Sequence, residues 1–309
     1  MSTFMTLLRK EILENKGTCL WLPVIVGSVL TALVLGTLLF SDNIAFRLNS
    51  DGITGLATLP GEMSIEDRYQ VTRAVLSALA IPFLIPLSFV VIFYVGHALF
   101  DERKDRSILF WKSLPVSDRL TVVSKVMMAV VVFPLSYWFV LSITQVLFLS
   151  MISVYGLMAD LPIWPFLFRA ELVLGHAFTY LFALIAQGFW LLPVYAYLLF
   201  CSSWAPRSPL FVGIAVLAII SLAISGWRFL NFGELTGFEP LGWAARRFGD
   251  SPLPLSFKLG IESPSEVVGH GAGITQLAET FVSPTMWLGW LIALPLLWGA
   301  VVMRRRATA

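Results

Sequence analysis

The sequence predicts an all-α integral membrane protein, a single membrane domain over residues 1–309 with about six membrane-spanning helices. Hydrophobic residues make up 58% of the chain and charged residues only 13%, about half the charged share of ordinary soluble domains. Apolar runs recur along the chain, each long enough for a helix to cross a bilayer. The runs are Leu20–Phe40, Ala74–Leu99, Val122–Val154, Leu172–Phe200, Leu210–Trp227 and Pro284–Met303.

Residues 1–17 predict an amphipathic helix that lies in the membrane interface before the first span. Apolar residues recur there at helical spacing, and basic residues stand between them. An apolar stripe beside a charged face is typical of a helix that lies on a membrane. No small-x-small cleavage site follows the first run, so we expect a retained segment rather than a cleavable signal. The residues that carry this prediction are Phe4, Leu8, Arg9, Lys10 and Ile12.

The third and fourth runs are longer than a bilayer requires, so we expect these helices to tilt, kink or project beyond the lipid. Pro82 and Pro86 stand one turn apart in the second run. They indicate a kink there, although proline is common in membrane helices.

A charged loop, DERKDRSILFWKSLPVSD at residues 101–118, interrupts the apolar sequence between the second and third spans. Such a stretch cannot lie in hydrocarbon, so it projects from the membrane. Ser107 to Leu114 is long enough for about two helical turns. Pro115 would end that helix, and Ser117 or Asp118 is a suitable N-cap for the next one.

On such a helix, Ile108, Trp111 and Leu114 share one side while Arg106 and Lys112 stay solvated. Composition supports two interpretations about equally. The loop is either an ordinary basic connection whose aromatic residues rest in the interface, or a docking element for a soluble partner.

The distribution of basic residues predicts that both termini face the cytoplasm. The side with the termini and the loop at 101–118 carries 13 basic and 6 acidic residues, a net charge of +7. The other side carries 8 basic and 13 acidic residues, a net charge of −5. Positive residues concentrate on the cytoplasmic side of membrane proteins.

Two long connections then lie outside, at Ser41–Arg73 and Arg228–Ser283. The second is rich in glycine and proline and is interleaved with aromatic residues. A stretch of this length has structure or a function of its own, and its aromatic residues favour short helices at or in the outer interface.

The sequence lacks the motifs of the common enzyme classes, so we expect no catalytic, cofactor or metal site. It contains no GxxxxGK[ST] phosphate loop and no GxSxG elbow. The three histidines show no metal spacing, and we expect Cys19 and Cys201 to be buried thiols rather than a disulfide or metal ligands. The span centres hold no carboxylate of the kind that ion-driven transporters use as relays.

Gln145 and Gln187 are the main strongly polar residues near the span centres, and His176 lies in the fourth span. Hydrogen bonding between helices is the simpler role for them. Lining a substrate path is the alternative.

The start LLRKEILENKG, the span directly after it and LFDERKDRSILFWKSLPVSDRLTVVSK resemble permease subunits of bacterial type-2 ABC exporters. The six-span plan, with a long connection before the last helix, is similar to that family over nearly the whole chain. The resemblance implies an elbow helix over residues 1–17 and a coupling helix at Asp105–Leu114, within the loop at 101–118, that docks on a cytoplasmic ATPase. The docking residues it implies are Asp105, Arg106, Ile108, Leu109, Trp111, Lys112 and Leu114.

The resemblance further implies a bacterial inner-membrane exporter with two ATPase subunits and a second permease, identical or homologous. ATP and Mg would bind on the ATPase, and this chain would contact lipid and no nucleic acid. The alternative is a membrane anchor or scaffold that docks a cytoplasmic complex without transporting anything.

Overall fold

The computed structural model describes residues 3–39, 65–109, 116–158, 170–230, 239–250 and 279–306. In these ranges all regular secondary structure is helical and no strand occurs. Six helical segments are long and apolar enough to cross a membrane. The prediction of an all-α multi-pass membrane protein is confirmed.

The N-terminal helix, Thr3–Glu14, precedes span 1, which consists of a π-helical turn at Gly17–Trp21 and the helix Leu22–Leu39. Span 2 is the helix Ile65–Lys104. Span 3 comprises Asp118–Met127, a second π-helical turn at Met128–Val132, and Phe133–Met158. Span 4 comprises Ala170–Trp190 and Leu192–Trp204, span 5 is Pro209–Phe229, and span 6 is Pro284–Arg306. A short helix, Pro240–Gly249, lies between spans 5 and 6.

Span 2 continues as one helix of 40 residues through both of its prolines, Pro82 and Pro86. Its 40 residues correspond to about 60 Å, twice the thickness of the hydrocarbon core. The helix therefore projects well beyond the lipid, an outcome that was expected for the third and fourth runs but not for the second.

Span 4 consists of two helices across the run Leu172–Phe200, for which a tilt, a kink or a projection beyond the lipid was expected. The helix breaks at Leu191, whose φ and ψ are −85° and 0°. Pro193 follows two residues later and has no N–H to continue the hydrogen-bond ladder. A proline-linked break thus accommodates the excess length of this span.

The π-helical turn of span 1 packs against the first turn of Phe133–Met158, which directly follows the π-helical turn of span 3, at the end of the bundle that carries the N-terminal helix. The Tyr137 hydroxyl donates to the carbonyl of Thr18 at 3.3 Å, and the Sγ of Cys19 lies 3.6 Å from the Oγ of Ser136. Cys19 and Cys201 are both buried free thiols, as predicted. We call this end of the bundle the charged end, for the residues described in the next subsection.

Spans 2, 3, 4 and 6 form the packed core, whereas spans 1 and 5 flank it. In the most apolar window of each span, 39% of span 3 is buried but only 11% of span 1 and 6% of span 5. Spans 3 and 4 approach closely at Gly188, where an added Cβ would lie 3.1 Å from both Cα and O of Val130. A small residue at this crossing lets the two backbones meet, as is common between membrane helices.

Candidate functional site

Four elements bring charged side chains together at the charged end of the bundle. They are the N-terminal helix, the end of span 2, the start of span 3 and the end of span 6. We call the group the charge cluster. Its members are Lys10, Glu11, Glu102, Asp118, Lys125 and Arg304.

Lys125 lies at the centre of the charge cluster, between two carboxylates. Its Nζ is 3.1 Å from Oε1 of Glu11 and 2.9 Å from Oε1 of Glu102. Lys10 lies 3.6 Å from the same two carboxylate oxygens, and the Tyr94 hydroxyl donates to Oε2 of Glu11 at 2.7 Å. The N-terminal helix is therefore held to spans 2 and 3 by charge-assisted hydrogen bonds.

Arg304 extends the charge cluster to span 6. Its guanidinium donates to Oε2 of Glu102 and, through Nε, to Oδ1 of Asp118 at 3.0 Å. Ser117 caps the helix that begins at Asp118, because its side chain accepts a hydrogen bond from the backbone N–H of Leu120. The predicted N-cap is thus confirmed at Ser117, and Asp118 remains available to pair with Arg304.

The centre of the charge cluster is buried, and the cluster as a whole is electrically balanced. Glu11 is 2% exposed, Lys125 2% and Arg304 3%, and three carboxylates face three basic groups. Removing such charges from water costs about as much as their attraction returns, so the cluster is weak evidence for added stability. Breaking it by removing one member is costly, because the remaining charges stay buried without full compensation. The arrangement therefore fixes the relative position of four elements.

A second contact ties the end of span 2 to the end of span 4. Arg103 donates to the carbonyls of Ser202 and Ala205, each at 2.8 Å. These carbonyls belong to the last turn of a helix, where a cation is favoured. The Oγ of Ser202 accepts hydrogen bonds from the N–H groups of Leu99 and Phe100. The residues that lead into the loop at 101–118 are thus bound to every core span.

The structure describes only part of the predicted docking stretch. Asp105 and Arg106 are exposed, and Arg106 has a left-handed backbone with φ of 55°. Leu109 is exposed, whereas Ile108 is 4% exposed and packs into the chain, so Ile108 is not available to a partner in this conformation. Trp111, Lys112 and Leu114 lie outside the described residues.

The N-terminal helix turns a mixed face toward the bundle. Leu7 and Glu11 are its buried residues, and Leu8 and Ile12 pack against the hydrophobic core. Phe4 and Lys10 are half-buried, and Arg9 is exposed. The predicted apolar stripe is thus accompanied by a buried carboxylate.

The three candidate path residues do not converge. Gln145 is buried and donates to the carbonyl of Leu76 in span 2 at 2.9 Å, an interhelical hydrogen bond. His176 stacks on Tyr180. Gln187 borders a cavity of about 20 Å³ between spans 2, 3 and 4, which is room for about one water molecule.

At the opposite end of the bundle, Arg247 fixes the short helix Pro240–Gly249. Its guanidinium donates to the carbonyls of Trp190 and Thr285 and lies 4.5 Å from the centre of the Trp190 ring, a cation–π distance. The N–H of Leu241 donates to Oγ of Ser221, within span 5. Ser221 stands eight residues before Phe229, about 12 Å below the end of its span. The short helix therefore lies alongside span 5 rather than above it, which accords with the predicted short helices at or in this interface.

The charge cluster was not predicted from the sequence, although the sequence contains a usable signal for it. Lys125 stands inside the third apolar run, and ionisable residues within spans are expensive and usually paired. In the sequence, Lys125, Glu11 and Glu102 contributed only to the net charge of one side. Their pairing was not predicted, because the three residues lie far apart in the chain. Among the described residues, no group of histidine, cysteine or carboxylate side chains could hold a metal ion.

Comparisons with known proteins returned no relative of this chain. No family model, no curated protein and no solved structure matches it.

Proposed function

We propose that the chain is the membrane-spanning permease subunit of an ABC exporter, in a bacterial inner membrane with both termini in the cytoplasm. ATP and Mg would be bound by two copies of a separate ATPase subunit that docks on the loop at 101–118. The observation that carries the proposal is the charge cluster, because it joins this loop to the core spans. The resemblance of the loop and of the N-terminal segment to the family's permeases supports the same assignment.

The charge cluster gives a physical route by which a docked partner could move the membrane helices. Glu102 stands just before the exposed part of the loop and Asp118 just after it, and Arg304 bonds both. A force applied to the loop between Glu102 and Asp118 is transmitted to spans 2, 3 and 6 together. Arg103 transmits the same force to span 4, because it is hydrogen-bonded to the end of that span. A flexible loop without these contacts would absorb the same displacement.

A transport path would have to form between this chain and a second permease. The cavity of about 20 Å³ beside Gln187 is too small for any cargo. Gln145 is engaged by the carbonyl of Leu76, and His176 stacks on Tyr180. The weakly buried spans 1 and 5 leave apolar faces for lipid or for a second subunit. The assembly is therefore proposed to contain two permeases, identical or homologous.

The alternative function is a membrane anchor or scaffold that holds a cytoplasmic complex. It would use the same loop and the same charge cluster but would need no second permease. Reconstitution with the copurified ATPase distinguishes the two, because only a permease would couple ATP hydrolysis to movement of a solute across the vesicle membrane.

The proposed orientation predicts the labelling of two single cysteines. Cysteine placed at Asp51 or at Gly260, in a background with Cys19→Ala and Cys201→Ala, should react with an impermeant thiol reagent in intact cells. The reason is the charge asymmetry of +7 against −5, which places residues 41–73 and 228–283 outside. A cysteine at Lys104 serves as the control, since it should react only after the membrane is opened. Protection of both outer positions in intact cells would reject this orientation.

The docking role predicts that Trp111→Ala lowers association with the ATPase about 30-fold or more, equivalent to about 2 kcal/mol. Large aromatic residues in desolvated pockets dominate interfaces, whereas exposed ion pairs are worth about 0–1 kcal/mol. Lys112→Ala should therefore have a much smaller effect. The measurement is copurification of a co-expressed candidate ABC ATPase with wild type and each variant, after equal membrane insertion has been verified.

Undiminished recovery of the ATPase with Trp111→Ala would remove Trp111 as the anchor and favour its resting in the lipid interface. A loss confined to Lys112→Ala would indicate an electrostatic dock. Such a dock should weaken as salt shortens the screening length from about 8 Å at physiological ionic strength.

A further inference from the structure

An open groove lies between the N-terminal helix and span 2. Its volume is about 910 Å³, within the range of about 300–1,000 Å³ that small-molecule sites occupy. Span 2 lines the groove with one helical face, which consists of every third or fourth residue from Ile85 to Asp105. This face is about 30 Å long. The N-terminal helix and the first turns of span 1, from Lys10 to Leu22, form the facing wall.

The groove is apolar at one end and acidic at the other. Toward the membrane centre it presents Ile85, Phe89 and Phe93, which are 45%, 59% and 55% exposed. Toward the charged end the same helical face ends in Asp101 and Asp105, and the facing wall changes from apolar to charged in the same direction. Both walls therefore change polarity along the groove in the same sense.

The acidic end carries an excess of negative charge. Five carboxylates and two lysines line the groove, a net charge of −3. Both lysines, Lys10 and Lys125, belong to the charge cluster and are bound by its carboxylates. Asp101 and Asp105 are exposed, and within the described part of the chain neither forms an ion pair.

We propose that this groove binds a single-chain amphipathic ammonium compound. The alkyl tail packs against Ile85, Phe89 and Phe93, and the ammonium head lies between the carboxylates of Asp101 and Asp105. The charge of the groove selects the head, because an anionic group would be repelled and the phosphate of a zwitterionic lipid would offset the attraction of its amine. The proposal concerns binding alone and does not rest on the transport function proposed above.

The test uses the full chain in neutral maltoside micelles and radiolabelled dodecyltrimethylammonium as the probe. Binding measured by equilibrium dialysis, above the partition into empty micelles, should saturate near one molecule per chain. The double variant Asp101→Asn/Asp105→Asn should weaken this binding at least 10-fold, and Phe89→Ala should weaken it as well. Both aspartates are exposed, so the double variant should keep the unfolding transition of the wild type. Glu239→Gln, which changes a carboxylate distant from the groove, should leave the affinity unchanged.

Two competitors decide what the groove recognises. Dodecyl sulfate, which has the same tail and the opposite charge, should not displace the probe, and added phosphatidylcholine should not displace it either. Displacement by dodecyl sulfate, or unchanged binding to the double variant, would overturn recognition by charge. Displacement by phosphatidylcholine would show that a bilayer lipid occupies the groove and would equally overturn the proposal.

Discussion

Replacing Glu102 by glutamine should lower the free energy of unfolding by about 3 kcal/mol, the largest loss we expect from removing a single charge. Glu102 is 7% exposed and forms ion pairs with Lys125 and Arg304, which are both buried. Breaking a buried pair by removing one partner costs about 3–5 kcal/mol. The lower value applies here because Glu11 still faces Lys125 and Asp118 still faces Arg304. The measurement is unfolding of the purified chain by denaturing detergent in mixed micelles, followed by tryptophan fluorescence.

Glu239→Gln provides the matched control, since Glu239 forms an ion pair with Arg228 in which the side chains are 45% and 36% exposed. It should change the free energy of unfolding by less than about 1 kcal/mol. The double variant Glu102→Gln/Arg304→Met should lose less than the sum of the two single losses, because the two side chains contact each other. Additive losses, or equal losses for Glu102→Gln and Glu239→Gln, would contradict a cluster that acts as a unit.

Gly188→Leu should also lower the free energy of unfolding by about 3 kcal/mol, at the upper end of the cost of overpacking a well-packed site. The new Cβ would lie 3.0 Å from Cγ1 of Val130 and 3.1 Å from its backbone. Backbone atoms inside a span cannot move aside as the end of a flexible side chain can. Spans 3 and 4 would therefore have to separate, and the same titration in mixed micelles measures the cost.

Gly175 provides the control in the same helix, because nothing lies within 4 Å of a Cβ placed there. Gly175→Leu should be neutral or stabilising by up to about 1 kcal/mol, since leucine favours a helix more than glycine does. Comparable effects at the two positions would show that helix propensity, rather than the crossing with Val130, governs this helix.

The six spans and the N-terminal helix could be predicted from the sequence because each depends on residues close together in the chain. An apolar run of spanning length is stable only inside a membrane or a large hydrophobic core. The composition of such runs therefore predicts a helical membrane protein. Helix boundaries followed equally local chemistry, as at Ser117, whose hydroxyl caps the next helix. The break at Leu191 had a local signal in Pro193, but whether the chain would kink, tilt or project there depended on neighbouring helices.

The charge cluster and the groove were decided only by the tertiary structure. Glu11, Glu102, Lys125 and Arg304 come from four elements separated by up to about three hundred residues, and a sequence without aligned relatives contains no sign that they meet. In the sequence, their individual charges contributed only to the predicted orientation of the chain in the membrane. Packed together, they form a balanced buried unit, because a charge withdrawn from water is tolerated only beside a partner. The sequence determined that this end of the chain is charged. The packing of the N-terminal helix with spans 2, 3 and 6 decided which of those charges are buried and which remain free at the mouth of the groove.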